Sequence, residues 1–264
     1  MHSVRARRNL LRTIVFLVVL GLSALFVASR FGSVGFWLGV VLVAVLTVYV
    51  CTRAGEVAIR AMRAYPVGEA EQPALCRLVR DLTARARVPM PRLYVSPTRA
   101  ANALATGNGP SRAAICVTEG ALDVLDEREL RAVIAHELAH IRRRDTLPGS
   151  MVGLVSRAAM VIPVLGVVVV YATRLVVSGS REFEADQEAA RITGEPLALA
   201  GALRKLDAAQ RELVLPPDAG VVATSHLMIS SPLGQPRGVW RLFRSHPSTA
   251  ERVARLEGLA GYRR

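Results

Sequence analysis

The sequence predicts a mainly α-helical membrane protein with a small β-sheet, in which an N-terminal transmembrane helical hairpin is fused to a larger mixed domain. Three observations carry that expectation. Two uncharged apolar runs open the chain, Thr13 to Ser29 and Phe31 to Thr52. From Tyr65 onward, helical periodicities alternate with short strand-like segments. The third is His136-Glu137-Leu138-Ala139-His140, whose two histidines fall at i and i+4 and so share one face of a helix.

Composition narrows the partners. Hydrophobic residues make up 52% of 264 and the mean hydropathy is +0.33, so part of the apolar surface is expected to face lipid. The formal charge is +13, from 34 Lys and Arg against 21 Asp and Glu. With long apolar runs beside it, that excess points to a lipid bilayer with an anionic leaflet. No stacked-aromatic pattern or recognition motif supports nucleic acid. Cys51, Cys76 and Cys116 are scattered and unpaired in sequence, which fits a reducing compartment and suggests neither a disulfide framework nor a cysteine-based zinc site. Oligomeric state is not legible.

The first apolar run has 17 residues and the second 22, separated by Arg30. A signal peptide is the competing reading of the first run, but no small-x-small cleavage site precedes the second. Transmembrane helices at about 13–29 and 31–52 are therefore expected, within an N-terminal unit 1–64. Gly32, Gly35 and Gly39 lie near one face of the second and suit close helix packing. Arg5, Arg7, Arg8 and Arg12 precede the first run, and Arg53, Arg60 and Arg63 follow the second. Basic residues stay on the cytoplasmic side, so both flanks and the whole of 65–264 are expected there.

Within 65–264, Pro73 starts a packing helix that carries Leu75, Leu78, Val79, Leu82 and Ala86 at helical spacing. Arg92–Ser96 and Ala113–Thr118 read as strands, and 101–109 between them as a small-residue loop. The strands are either the edge along which a polypeptide is added or a structural hairpin under the next helix. Asp126 and Glu129 form a capping pattern that starts this helix just before Glu127. At its end, Arg142, Arg143 and Arg144 complement the helix dipole and can meet lipid phosphates. The segment 147–180, broken by Arg157 and Arg174, is too short for two full spans and is expected to be a membrane-associated helical hairpin. A helix at about 197–213 follows, then a long loop from 216 to 238, a candidate lid. Ser248 and Glu251 cap the last helix.

Two imidazoles one turn apart suit a single zinc ion. Glu137 sits next to the first of them, where a general base for water belongs. A histidine-rich third-ligand pattern needs Gly at 143 and His at 146, where Arg143 and Thr146 stand. A glutamate on a later helix is the other solution. Glu182 and Asp186, at i and i+4, present one carboxylate to metal and one to a ligand histidine. A rotated helix offers Glu184 with Glu188 instead.

These residues resemble the HtpX-type membrane zinc metalloproteases, bacterial relatives of the CAAX prenyl endopeptidases. The matching features are Asn102-Ala103-Leu104-Ala105-Thr106-Gly107, the HELAH segment with Asp145 five residues on, Arg181-Glu182-Phe183-Glu184-Ala185-Asp186, and His246-Pro247 with Glu251-Arg252. The resemblance implies a zincin-like (gluzincin) catalytic domain with one Zn2+ per chain on His136, His140 and Glu182, and Glu137 as base. It also implies that Asn102 lies by the substrate edge and that His246 steadies the tetrahedral intermediate. The segment between the second histidine and the glutamate is shorter here than in such relatives, which argues against a four-span topology. The expected protein is a membrane-anchored zinc endopeptidase of the bacterial cytoplasmic membrane, multi-pass, with its catalytic domain in the cytoplasm. Its expected substrates are polypeptides, chiefly membrane proteins in quality control, by family resemblance alone. The alternatives are a zinc-fold sensor or interaction module without proteolytic activity, and a structural membrane protein with no metal.

Overall fold

The computed structural model describes residues 21–146, 179–213, 227–230 and 247–261, with the isolated positions 11, 15 and 18. The first expected span is therefore only partly within the described residues. His246 and all but the last two residues of the 147–180 hairpin lie outside them.

Helix α1 (Gly32–Ala61) is longer than the apolar run that predicts it. Its stretch Gly32–Tyr49, of mean hydropathy 2.0, is long and apolar enough to cross a membrane, and none of it is buried in the protein. Eighteen residues at 1.5 Å each give about 27 Å, close to the hydrocarbon thickness. Among the described residues it is the one helix that meets this test. Residues 21–29 are also helical and turn back on it, with Gly39 against Ala28 and Leu25, and Gly21 against Val43.

The helix does not stop at Thr52. Arg53 and Arg60 pair with Glu56 at i,i+3 and i,i+4 spacing, so polar residues continue the helix that apolar ones began. Its last turns are buried at Ala58 and Ile59, and Gly55 approaches the backbone of Gly107 to within about 3 Å of a Cβ position. The apolar helix is thus docked directly onto the sheet.

Strands β1 (Tyr65–Pro66), β2 (Arg92–Ser96), β3 (Ala103–Gly107) and β4 (Ala113–Thr118) form one sheet in the order β1-β2-β4-β3. β2 and β4 are parallel, with Leu93 opposite Ile115, whereas β1 and β3 are antiparallel to their neighbours. Strand β3 corrects the expectation of a loop at 101–109. All five of its residues are buried, because both faces of the sheet are covered. Ala103 and Ala105 face the main core, and Leu104 faces a smaller cluster with Ile59 and Met62. A strand covered on both sides and crossed closely by a helix favours alanine and glycine over the branched residues that usually signal strand.

The main core lies between the sheet and a helical layer. Helix α2 (Pro73–Ala86) starts with Pro73 at its first turn and buries Leu75, Leu78, Val79 and Leu82. Helix α3 (Glu119–Val124) is capped by Thr118, whose hydroxyl accepts from the Ala121 N–H at 3.1 Å. Helix α4 (Glu127–Arg142) begins where the capping box puts it: Asp126 accepts from the Glu129 N–H at 2.9 Å, and Glu129 accepts from the Asp126 N–H at 3.0 Å. Helices α5 (Gly179–Thr193), α6 (Pro196–Glu212) and α7 (Thr249–Leu259) complete the layer, with Ser248 and Glu251 capping α7. Val133, Ile134, Leu138 and Ile141 of α4 are buried, so the metal-facing side of the helix has a packed apolar back.

A Cβ at Gly120 would overlap the carbonyl of Arg99, a backbone group that cannot rotate away. Gly120→Ala is expected to destabilise the fold by about 1–3 kcal/mol, through overpacking. A lowered urea midpoint with an unchanged m-value checks this, and an unchanged midpoint refutes it.

Candidate metal centre

Helix α4 brings His136 and His140 together with ring centroids 4.8 Å apart and ring planes at 81°. Their Nε2 atoms are 3.1 Å apart. Glu182, in the first turn of α5, places its carboxylate oxygens 3.6 Å from His136 Nε2 and 3.5 Å from His140 Nε2. Ligands held about 2.0–2.1 Å from a tetrahedral metal lie roughly 3.3–3.4 Å from one another. The three separations of 3.1, 3.5 and 3.6 Å match that geometry, so these residues fit a metal ion.

The partners behind the ligands aim them. Asp186 lies one turn beyond Glu182 on the same face of α5, with Oδ1 2.9 Å from His136 Nδ1. A hydrogen bond there puts the proton on Nδ1 and leaves the Nε2 lone pair directed into the centre. Asp145 does the same for His140 from 3.4 Å, reaching back through a turn in which Arg144 takes a φ of +59° and the Asp145 N–H donates to the His140 carbonyl.

Arg252 of α7 locks Asp186 with two hydrogen bonds, Nε to Oδ2 at 2.8 Å and Nη2 to Oδ1 at 2.7 Å. Its Nη1 also lies 3.4 Å from Glu182. Burial works against ionisation of Asp186, but the guanidinium and His136 overcome it and hold the carboxyl below its usual range. Burial likewise opposes a charge on His136, yet its hydrogen bonds to Asp186 and Glu182 prevail and push its pKa up to about 9. The pocket is therefore built to hold positive charge between the imidazoles and Glu182, as a proton or as a cation in its place.

Glu137 is buried, and among the described residues neither of its carboxylate oxygens has a hydrogen-bond partner. Such a group calls for a water, an ion or a substrate. Burial raises its pKa, with His136 and His140 pulling the other way. Nearby Cys116 is inert by comparison, since burial pushes its thiol up to about 12.

The rotated reading of α5 does not hold. Glu184 and Glu188 pair with Arg143 and Arg142, away from the histidines. Two of the three arginines at the end of α4 thus have carboxylate partners within the protein. Asn102, at the start of β3, is buried, and its Nδ2 donates to the Ser230 carbonyl at 2.9 Å. His246 lies outside the described residues. Sequence reasoning assigned no role to Asp145 or Arg252. The signal for both was position alone: five residues after the HELAH segment, and inside the capped first turn of the last helix.

The chain is similar to known proteins over most of its length. Residues 69–260 match the model of peptidase family M48. The chain is 45% identical to "Protease HtpX homolog" of Kineococcus radiotolerans, over 93% of this chain and 94% of that one. It is 40% identical to the protein of the same name in Paenarthrobacter aurescens, over 94% and 93%. The crystal structure of S. mikatae Ste24p superposes with a TM-score of 0.52 at 15% identity, over 97% of this chain and 67% of that one, a likeness of fold. The family match covers most of the chain, together with the HELAH helix and its glutamate partner, and on that ground the chain belongs to peptidase family M48.

Proposed function

We propose that this peptidase is a zinc-dependent endopeptidase anchored in the bacterial cytoplasmic membrane, with its catalytic domain on the cytoplasmic side. The observation that supports it most is the convergence of His136, His140 and Glu182 beside the carboxylate of Glu137, which has no hydrogen-bond partner among the described residues. Zinc held by those three residues supplies a Lewis acid for the scissile carbonyl. Glu137 takes the proton of the attacking water and delivers it to the leaving amine. Asp186 and Asp145 keep the imidazoles in the tautomer that directs both Nε2 lone pairs inward, and Arg252 keeps Asp186 ionised. Asn102 stands at the edge that receives the polypeptide, and His246 is assigned to stabilise the oxyanion.

The apolar surface of α1 supports the anchor, and the flanking arginines support the orientation. A span over 13–29 and a membrane-associated hairpin over 147–180 belong to the same proposal. Membrane proteins under quality control are the proposed substrates. A sensor that binds without cleaving has no use for a buried carboxylate that, among the described residues, has no hydrogen-bond partner, and this observation favours the enzyme.

Purified protein is expected to carry about one zinc per chain and to cleave unfolded casein. A chelator should abolish cleavage and added zinc restore it. Glu182→Ala should lose most of its metal under the same conditions. Full zinc occupancy with intact casein would reassign the chain to a binding role, and absence of metal from the wild type would remove both readings.

A further inference from the structure

Strand β3 has β4 on one side, paired along all five residues, and a piece of the chain's own polypeptide on the other. Met228 bridges Leu104 in antiparallel register, and the Ile229 N–H donates to the Ala103 carbonyl at 3.0 Å. Asn102 Nδ2 donates to the Ser230 carbonyl at 2.9 Å, while Arg252 Nη1 donates to the Ile229 carbonyl at 2.7 Å. The same guanidinium grips Asp186, which orients His136. Three successive residues thus use one strand edge, one side-chain amide and one arginine, and that arginine lies 3.4 Å from both His136 and Glu182. Their side chains alternate as in a strand. Met228 enters the small cluster formed by Ile59, Met62, Leu104 and Cys116, and Ile229 joins the main core on the opposite face.

A polypeptide held for hydrolysis is bound extended, through its backbone, against such an edge, with alternate side chains in pockets. We infer that Met228-Ile229-Ser230 occupies the groove that the substrate strand uses, that substrate reaches the metal by displacing it, and that the pocket filled by Met228 selects a large apolar residue. Among the described residues a single bridge pairs the segment with β3, whereas β4 is paired along the whole strand, so the segment is the more readily exchanged of the two neighbours of β3. The inference rests on the peptidase reading above.

Hydrogen exchange at the Ile229 amide, in zinc-loaded full-length protein in detergent micelles, tests the displacement. The amide is expected to be protected in the free protein and to lose at least about tenfold of that protection when a methionine-containing peptide hydroxamate saturates the site. Protection that survives saturation overturns the inference. Met228→Ala, which touches none of the metal-binding groups, is expected to raise kcat/KM on casein peptides several-fold through a lower KM, with zinc content unchanged. A fall in kcat/KM at full zinc occupancy assigns the segment a structural role and also overturns it. Cleavage sites in denatured casein should be enriched in Met, Leu or Phe at one subsite, and an even distribution removes the pocket. A wild type that cleaves nothing sinks the peptidase reading, whereas one that cleaves with Ile229 still protected sinks this inference alone.

Discussion

The Glu137→Gln variant is expected to lose about 10³-fold in kcat on peptide substrates, within the usual range for removing a general acid–base group, while binding zinc as the wild type does. The substitution keeps the shape of the side chain and removes only its basicity. Glu137 is one residue from His136 but is not among the three converging ligand groups, so metal binding has no reason to fail. Its two oxygens make no hydrogen bonds within the described protein, so no packed network collapses when one of them becomes an amide. Burial also makes the carboxylate a stronger base than one in water, with the imidazoles limiting the effect. Metal analysis and single-turnover cleavage on the same preparation read the two consequences separately. Undiminished turnover would exclude Glu137 as the base, and lost zinc would place it among the ligands.

The parts of this centre that were legible in sequence are those set by local periodicity. His136 and His140 share a face because four residues nearly close one helical turn, and the same arithmetic joins Glu182 to Asp186. The capping box at Asp126 and Glu129 fixes where the first of those helices begins. Strand β3 escaped because sequence signals for strands rely on β-branched and aromatic residues, and Ala103–Gly107 has only one of these, Thr106, among Ala, Leu and Gly. Its identity is imposed from outside, by α1 pressing on one face and α4 on the other. The length of α1 escaped for a related reason, since hydropathy marks where lipid ends but not where a helix ends. Arg252 lies 66 residues from Asp186, and no spacing rule links a residue on the last helix to one on α5. The same holds for Met228 and Leu104, which meet only when the chain returns to the sheet edge.

Arg252→Met is expected to have the largest effect on stability. It leaves Asp186 and Glu182 buried beside the imidazoles without their guanidinium, and breaking a buried ion pair from one side costs about 3–5 kcal/mol. The loss should be greatest in metal-free protein. With zinc bound, the ion's own charge compensates part of the deficit, so the gap between variant and wild type should narrow as zinc is added. Arg252→Lys keeps the charge but not the two-pronged grip on Asp186, and should recover only part of the stability. A slackened Asp186 orients His136 less well, and zinc affinity should weaken by about 10–100-fold. The pH dependence has a definite sign. Asp186 has a folded pKa below its unfolded value, so its contribution is present above the ordinary carboxylate range and disappears as pH falls through the depressed folded value. Without Arg252, burial is opposed by less positive charge, the folded pKa rises, and acid unfolding of the apo protein should begin at a higher pH than in the wild type. Denaturation midpoints across pH with and without zinc measure all of this. A variant whose apo and zinc-bound midpoints fall by the same amount would mean that Arg252 stabilises the packing of α7 alone, with no part in balancing charge at the metal centre.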